Sequence, residues 1–383
     1  ATAFRDLGWS VEVVRLAADP APVPDWALAL GIDWKTETSK VLPHFPSKML
    51  GRIQYRLGIP GQAACDFYFQ QFRATREAIQ KRCAQDRLHF LEGIQIANAL
   101  PFLKDETVVF SHHDVWHEAT AAVQAVQCEL DKRELRITEI RDLRFVRKIE
   151  TRICDASQHI LTISARDCAA LHGEGWSHAR YLPMSIADTV FPVRRVNLLA
   201  PLRILHLGRI THLPSYRSLE FLLTRVFPLL SLKTLSQIRL RVVGSVEEGN
   251  PRADRILQLI KPFAAQVELV GFVKDLMPEF IENDLQIIAP TAASGLQTRI
   301  VESLARGLPV LTSEIAAQGL ENPRNGESLL IACSAEEFAN SIESLVNNRQ
   351  RICDLATGGR LYFEQYHSRE YVASTLQSHL INL

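Results

Sequence analysis

Short apolar runs alternate with helical stretches through the second half of the chain. Residues 202–208 (LRILHLG), 238–244 (IRLRVVG), 267–272 (VELVGF) and 285–290 (LQIIAP) each read as a buried strand. A loop with Pro214 and the helix YRSLEFLLTRVFPLL follow the first, and a helix around 252–263 follows the second. MPEFIEN reads as a short helix ahead of the fourth, and SGLQTRIVESLARGLPVLTS as a loop, a helix and one more strand. This alternation predicts a parallel, doubly wound sheet. Such sheets bind ligands at the carboxyl ends of their strands, where Gly208, Gly244, Gly271 and Pro290 all fall.

The first half is less regular. TVVFSHHD (107–114) is a strand running into a polar tip, and HILTIS (159–164) is another. Between them, residues 128–156 (CELDKRELRITEIRDLRFVRKIETRICDA) read as one long helical stretch with charges of both signs on its exposed side. Ser164 is the expected N-cap of a helix containing Asp167. RYLPMSIADTVFPV (180–193) reads as a last short strand and then a linker. The expected division is a first α/β domain over 1–197 and a second over 198–366. The helical tail 367–383 would cross back to the first. At the start, AFRDLG reads as a helix stopped by Gly8 and SVEVVRLAA as a strand. An α/β domain is expected to open with a strand ahead of that helix, and the expectation is that this first strand is absent from the sequence given.

Composition narrows the class. At 383 residues the chain exceeds one ordinary core. Forty-three basic and 43 acidic residues cancel, so no global charge points to nucleic acid. Seven cysteines without a C-x-x-C spacing fit a reducing cytoplasm better than a disulfide framework or a zinc knuckle. No apolar run approaches the roughly 18 residues of a membrane span, and no leader pattern opens the sequence. Locally, region 40–87 carries nine basic against three acidic residues, interleaved with Phe45, Met49, Ile53, Tyr55 and Leu57. One reading is a face for peripheral membrane contact or an anionic acceptor, at the inner side of a membrane. The other is a solvated face of ordinary helices.

The stretch from Ser294 to Leu320 concentrates the chemistry. Gly295 allows a sharp turn and a close backbone approach to a ligand. The helix expected from Thr298 offers its N–H groups and dipole to an anion, and Arg299 adds a fork suited to phosphate. Glu302 shares a face with Thr298 and Arg299 and can accept hydroxyl hydrogen bonds from a ribose. Arg209, just after the first strand of this domain, could complete a two-arginine clamp on a diphosphate. The competing reading makes Arg299 and Glu302 an ordinary surface ion pair.

These residues resemble a known family. GFVKDLMPEFIENDLQIIAP, followed by SGLQTRIVESLARGLPVLTSEIAAQGL, is similar to the donor-binding half of retaining GT-B glycosyltransferases of the group-1 class. HLGRITHLPSYRSLEFLLTRVFPLL and HILTISARDCAALHGEG resemble its other motifs, and the likeness spans roughly residues 145 to 370. The resemblance implies two Rossmann-like domains facing a cleft. It also implies transfer from a nucleotide-diphosphate sugar, with retention and with no metal or further cofactor. The acceptor would be a saccharide, a glycan or a lipid-linked molecule, in the synthesis of surface polysaccharide. Arg299 then stands at the diphosphate-binding basic position, Glu302 at the ribose-binding Glu and Arg209 at the basic residue after the first strand. Phe272 and Val273 stand where backbone holds the base. Ser294 occupies a position that is Glu in many members, and THLPSY replaces a Lys common after the first-strand Arg.

In the first domain the resemblance marks the strand tip FSHHDVWHE, with His112, His113 and Asp114 as the candidates for a residue that orients the donor sugar. Rival readings of this tip are a metal site built on His113, His117 and Glu118, or a structural polar cluster. Rival readings of the whole chain are an inactive nucleotide-sugar sensor or partner subunit, and a nucleotide-sugar epimerase.

Overall fold

A computed structural model describes residues 10, 12–17, 33–38, 45–57, 59, 88–94, 100, 103, 107–186, 200–247, 249–290 and 295–380. The helix expected to end at Gly8, residues 187–199, Ser294, and residues 40–44, 58 and 60–87 of the basic region lie outside them. The chain forms two compact units: Ala1–Leu182 with Val372–Leu383, and Pro183–Tyr371.

In the first unit, β1 (Glu12–Ala17) and β2 (Asp33–Thr38) form a parallel pair, and helix α1 (Phe45–Arg56) follows. A four-stranded parallel sheet is built from β3 (Leu88–Glu92), β4 (Thr107–His112), β5 (His159–Thr162) and β6 (Ala179–Tyr181), in that order. Helices α2 (Trp116–Asp131) and α3 (Ile137–Ala156) separate β4 from β5, and α4 (Ala165–Gly173) separates β5 from β6. Strand periodicity sends Val108 and Phe110 into a cluster with Phe145, Ile149 and Ile153 of α3. Val109 points the other way, to Leu161 and to Leu376 of the last helix. Ser164 caps α4 by accepting from the Asp167 N–H, as its sequence context predicts.

The long helical stretch expected over 128–156 is broken. Lys132 sits in the left-handed region at φ 50°, and its N–H closes on the Glu129 carbonyl. Arg133 then holds the Glu139 carboxylate through two bonds of 2.8 and 2.9 Å, and the Arg136 N–H donates to the same carboxylate. A charge pattern that looked like a solvated helix face instead closes one helix and opens the next.

The second unit contains a six-stranded parallel sheet. Its strands are β7 (Leu202–Leu207), β8 (Ile238–Val243), β9 (Val267–Gly271), β10 (Leu285–Ile288), β11 (Val310–Ser313) and β12 (Leu330–Ala332). They lie in the order β12-β11-β10-β7-β8-β9. This is the doubly wound arrangement with its reversal between β7 and β10, the place where such sheets open a crevice for ligands. Among the connecting helices, α5 (Leu213–Phe221) follows β7, α6 (Leu232–Ser236) precedes β8, and α7 (Pro251–Ile260) precedes β9. Helix α8 (Met277–Glu282) precedes β10, and α9 (Thr298–Ala305) and α10 (Glu314–Ala317) flank β11. The unit closes with α11 (Ala335–Asn347) and α12 (Gln350–Tyr366), and α13 (Arg369–Leu380) returns to the first unit's core at Leu376.

The helix expected from Tyr216 through Leu230 changes its winding. After α5 the chain widens into a π-turn over Leu222–Val226 and tightens into a 3-10 turn over Phe227–Leu229. Pro228 has no N–H to continue the α pattern, which accounts for the change.

Ile204 is fully buried in the central strand β7, while Leu257 on α7 is 43% exposed. Ile204→Ala should therefore lower the unfolding free energy by about 2–5 kcal/mol in urea titrations. Leu257→Ala should lower it by less than about 1 kcal/mol. Equal losses would mean that β7 is not the centre of the sheet.

Candidate functional site

Three tips meet at the β7–β10 reversal. Gly208 ends β7 at φ 142° and Gly244 ends β8 at φ 154°. A methyl group at Gly244 would overlap the Gly208 backbone, and one at Gly208 would overlap Ser215 and reach 2.8 Å from Arg299 Nη1. Both positions need glycine because the two strand tips and α5 close on one another. From the β10 side the chain turns at Gly295 (φ 61°), against which Gly319 packs without room for a side chain. Helix α9 then begins at Thr298, where the sequence places it.

Arg299 extends from α9 across the reversal. Its guanidinium donates to the Leu207 carbonyl and, at 3.4 Å, to the Ser215 hydroxyl. It is partly buried, and burial alone pushes its pKa down. Among the described residues no carboxylate pairs with it. A cation withdrawn from water with only neutral acceptors is costly, and an anion at the strand tips would compensate it. His206, fully buried one residue before Leu207, is pushed down to about 3 by burial and then by the Arg299 charge. It is therefore neutral and adds no positive charge beside Arg299.

The other expected donor residues are distributed around this centre. Glu302 pairs with Arg306 at 3.1 Å, so Arg299 and Glu302 are not the ordinary ion pair of the competing reading. Thr298 is exposed at the start of α9. Arg209 is exposed and lies 3.9 Å from Glu247, while Arg299 turns to Leu207. Phe272, after the end of β9, is 79% exposed, and Val273 packs on the cluster of Leu205, Leu207, Val243 and Phe280. Ser215 and His206 were not legible as site residues, because their role depends on the β7–β10 adjacency.

In the first unit the three candidates at the β4 tip separate. His112 is fully buried and its Nε2 lies 2.8 Å from Glu150 Oε1. His113 is half-buried and its Nε2 lies 3.7 Å from Glu92 at the tip of β3. The Glu92 carboxylate raises the His113 pKa, and His113 lowers that of Glu92. Asp114 adds negative charge that, after burial itself, helps to push the buried Asp167 carboxyl up to about 6. His117, which the metal reading would join to His113, instead places Nδ1 2.5 Å from Glu150 Oε2 and Nε2 3.2 Å from Glu174. The two histidines are thus held by different carboxylates.

Glu150 organises this tip. It accepts from the Trp116 N–H at 2.6 Å and the His117 N–H at 3.3 Å, so it caps the start of α2 while holding two imidazoles. Burial pushes its pKa up, but the bonds from His112 and His117 outweigh burial and hold it at about 2. The Glu150 bond in turn raises the pKa of His117.

Residues 201–348 match the family model of glycosyl transferases group 1. No curated protein matches the chain by sequence. Among solved structures, the chain is similar to Anabaena HepE in complex with UDP and glucose. The identity is 14%, the TM-score 0.66, and the match covers 97% of this chain and 92% of that one. It is also similar to sucrose-phosphate synthase from Thermosynechococcus elongatus, at 16% identity and a TM-score of 0.68, covering 98% and 90%. A third is a glycosyltransferase from Rickettsia africae, at 11% identity and a TM-score of 0.60, covering 100% and 93%. The fold is GT-B, with two parallel-sheet α/β domains. The family match lies within the second unit and spans less than half of the chain, and the likeness to the solved structures shows the fold.

The Glu150 cluster gives a pH signature. Glu150 has a folded pKa below its unfolded value of 4.5, so its stabilisation is present above that value and is lost as pH falls toward 2. His117 has a folded pKa above its unfolded 6.5, so its stabilisation is present below 6.5 and is lost as pH rises through the folded value. The stability gap between wild type and Glu150→Gln should be widest between about pH 4.5 and 6.5 and narrow on either side. Urea titrations at about pH 3, 5.5 and 9 check this. A gap independent of pH would reduce Glu150 to a packing role.

Proposed function

We propose that this chain transfers a sugar from a nucleotide-diphosphate donor to a saccharide, glycan or lipid-linked acceptor, with retention at the anomeric carbon and without a metal. One observation carries the reading. Arg299 is a partly buried cation at the β7–β10 reversal, paired only with the Leu207 carbonyl and the Ser215 hydroxyl among the described residues. A diphosphate seated at Gly208 and Gly295 would supply the missing negative charge. The N–H groups opening α9 would add to its binding.

The other roles follow from position. Glu302, part of whose charge is taken by Arg306, accepts from ribose hydroxyls. Arg209, exposed on its loop, turns from Glu247 to the outer phosphate and stabilises the leaving group. Backbone at Phe272 and Val273 holds the base. In the first unit the half-buried His113 is the candidate that orients the sugar, with Glu92 favouring its charged form. His112, pinned to Glu150, supports the tip instead. In a front-face retaining transfer the leaving phosphate can take the acceptor proton, so the protein mainly positions and stabilises charge.

Ser294, standing where many members carry Glu, favours a second reading: a nucleotide-sugar sensor or the partner subunit of an active transferase. The two share the donor site and differ in turnover.

The test is a thermal-shift titration with UDP, GDP, dTDP and ADP on wild type and on Arg299→Ala. A nucleotide at 100 times its dissociation constant should stabilise the wild type by about 2.7 kcal/mol, and the variant should lose that gain. Incubation of the wild type with the matching nucleotide sugar then separates the readings, since release of nucleoside diphosphate supports the transferase and its absence the sensor. No stabilisation by any nucleotide, with the protein folded, overturns the donor site itself.

A further inference from the structure

Asp167 is a buried carboxyl with nothing to hold it. It is 1% exposed, and neither of its side-chain oxygens has a hydrogen-bond partner among the described residues. It stands third in α4, where a carboxylate can reach back to the N–H of the capping residue. Here the Ser164 hydroxyl accepts the Asp167 N–H at 3.2 Å, and the cap leaves the Asp167 carboxyl unused. A carboxylate withdrawn from water without hydrogen bonds is costly, and the opening of a helix offsets only part of that cost.

The surroundings do not supply what is missing. β4 and β5 lie side by side with His112 opposite Thr162, so the turn after β4 and the start of α4 share one edge of the sheet. From β4, His112 gives Nε2 to Glu150, and its Nδ1 bonds no described residue. From the turn, Asp114 brings a second negative charge toward Asp167. On α4 itself, Arg166 is drawn off to Glu118 of α2 at 2.9 Å, a bond that clamps the openings of the two helices together. The Val115 N–H lies close but completes no hydrogen bond with either oxygen. Burial and then Asp114 therefore push the carboxyl up to about 6, against the weaker pull of His112, Arg166 and that N–H.

We propose that Asp167 is a positioning residue for the β4 tip, holding the tip in place as a neutral acid and releasing it on ionisation. Uncharged, it lets the turn from His112 to Asp114 lie against the opening of α4. Ionised, it sets two like charges against each other in a buried place without compensation, and the turn shifts to admit water. His113, read above as orienting the sugar, lies in this turn, so its placement follows the Asp167 proton. That consequence rests on the reading of the tip under the proposed function. The behaviour of Asp167 does not, and its test needs no nucleotide, so the two can fail separately.

All five tryptophans lie in the first unit, so their fluorescence follows the unfolding of that unit alone. Urea titrations of the full chain at about pH 4, 5, 6 and 7.5 compare wild type with Asp167→Asn. The folded pKa of Asp167 lies above its unfolded 3.8, so its stabilisation is present below 3.8 and is lost as pH rises through about 6. From pH 4 to 7.5 the folding equilibrium constant of wild type should fall about 50-fold relative to that of Asp167→Asn. Asp114→Asn should move this fall to lower pH, because one of the two like charges is gone. The N–H groups of Trp116 and His117, which bond Glu150, report the tip itself. Their protection from amide exchange, corrected for the intrinsic rate, should decrease over the same pH range in wild type and stay level in Asp167→Asn. A ratio that does not change with pH, or an Asp167→Asn chain that does not fold, reduces Asp167 to packing and overturns the proposal. A changing ratio with level protection at Trp116 and His117 overturns it as well, since the proton then has no hold on the tip.

Discussion

The second unit turns on a guanidinium that has no carboxylate partner among its described neighbours. Arg299 reaches from the helix after β10 to the carbonyl that ends β7, and so ties together the two strands at which the sheet reverses. That reach is possible only because Gly208 carries no side chain, and Gly208 in turn has space only because Gly244 carries none. One charge and two glycines therefore fix the spacing of three loops. The same arrangement leaves positive charge short of compensation, which an anion at the strand tips would supply.

The first unit solves a related problem in the opposite sense. There a buried carboxylate, Glu150, carries the uncompensated sign, and it is satisfied by two imidazoles and by the opening N–H groups of α2. The consequence is a rigid base under the β4 tip. His112 belongs to that base and His113 stands above it, so neighbouring residues of one type carry out different work. Their difference comes from strand periodicity and from what lies on each face.

Much of the second unit was legible in the sequence because parallel strands buried on both faces leave short continuous apolar runs. Gly208, Gly244, Gly295 and the start of α9 at Thr298 fell where those runs placed them. Strand order was not legible, and with it went Ser215 and His206, whose roles exist only once β7 lies beside β10. The break at Lys132 was hidden because Arg133 and Glu139 read as surface charges until the chain folds back between them. Glu150 was equally hidden: it lies 38 residues from His112, and helical periodicity gave it no reason to stand out. The widening after α5 came from Pro228, whose effect on winding depends on how the turns before it can adjust.

The last helix crosses a boundary that the sequence order conceals. Leu376 completes the hydrophobic cluster of Val109 and Leu161, and the His379 ring bonds the Tyr181 carbonyl, so the first unit is closed by residues that follow the whole of the second. On the ribosome the first unit emerges before Leu376, and the cluster of Val109 and Leu161 is completed only after nearly two hundred further residues have been made. The second unit, contiguous from Pro183 to Tyr371, can finish first. Part of the earlier-made half is thus completed only by residues made after the later one.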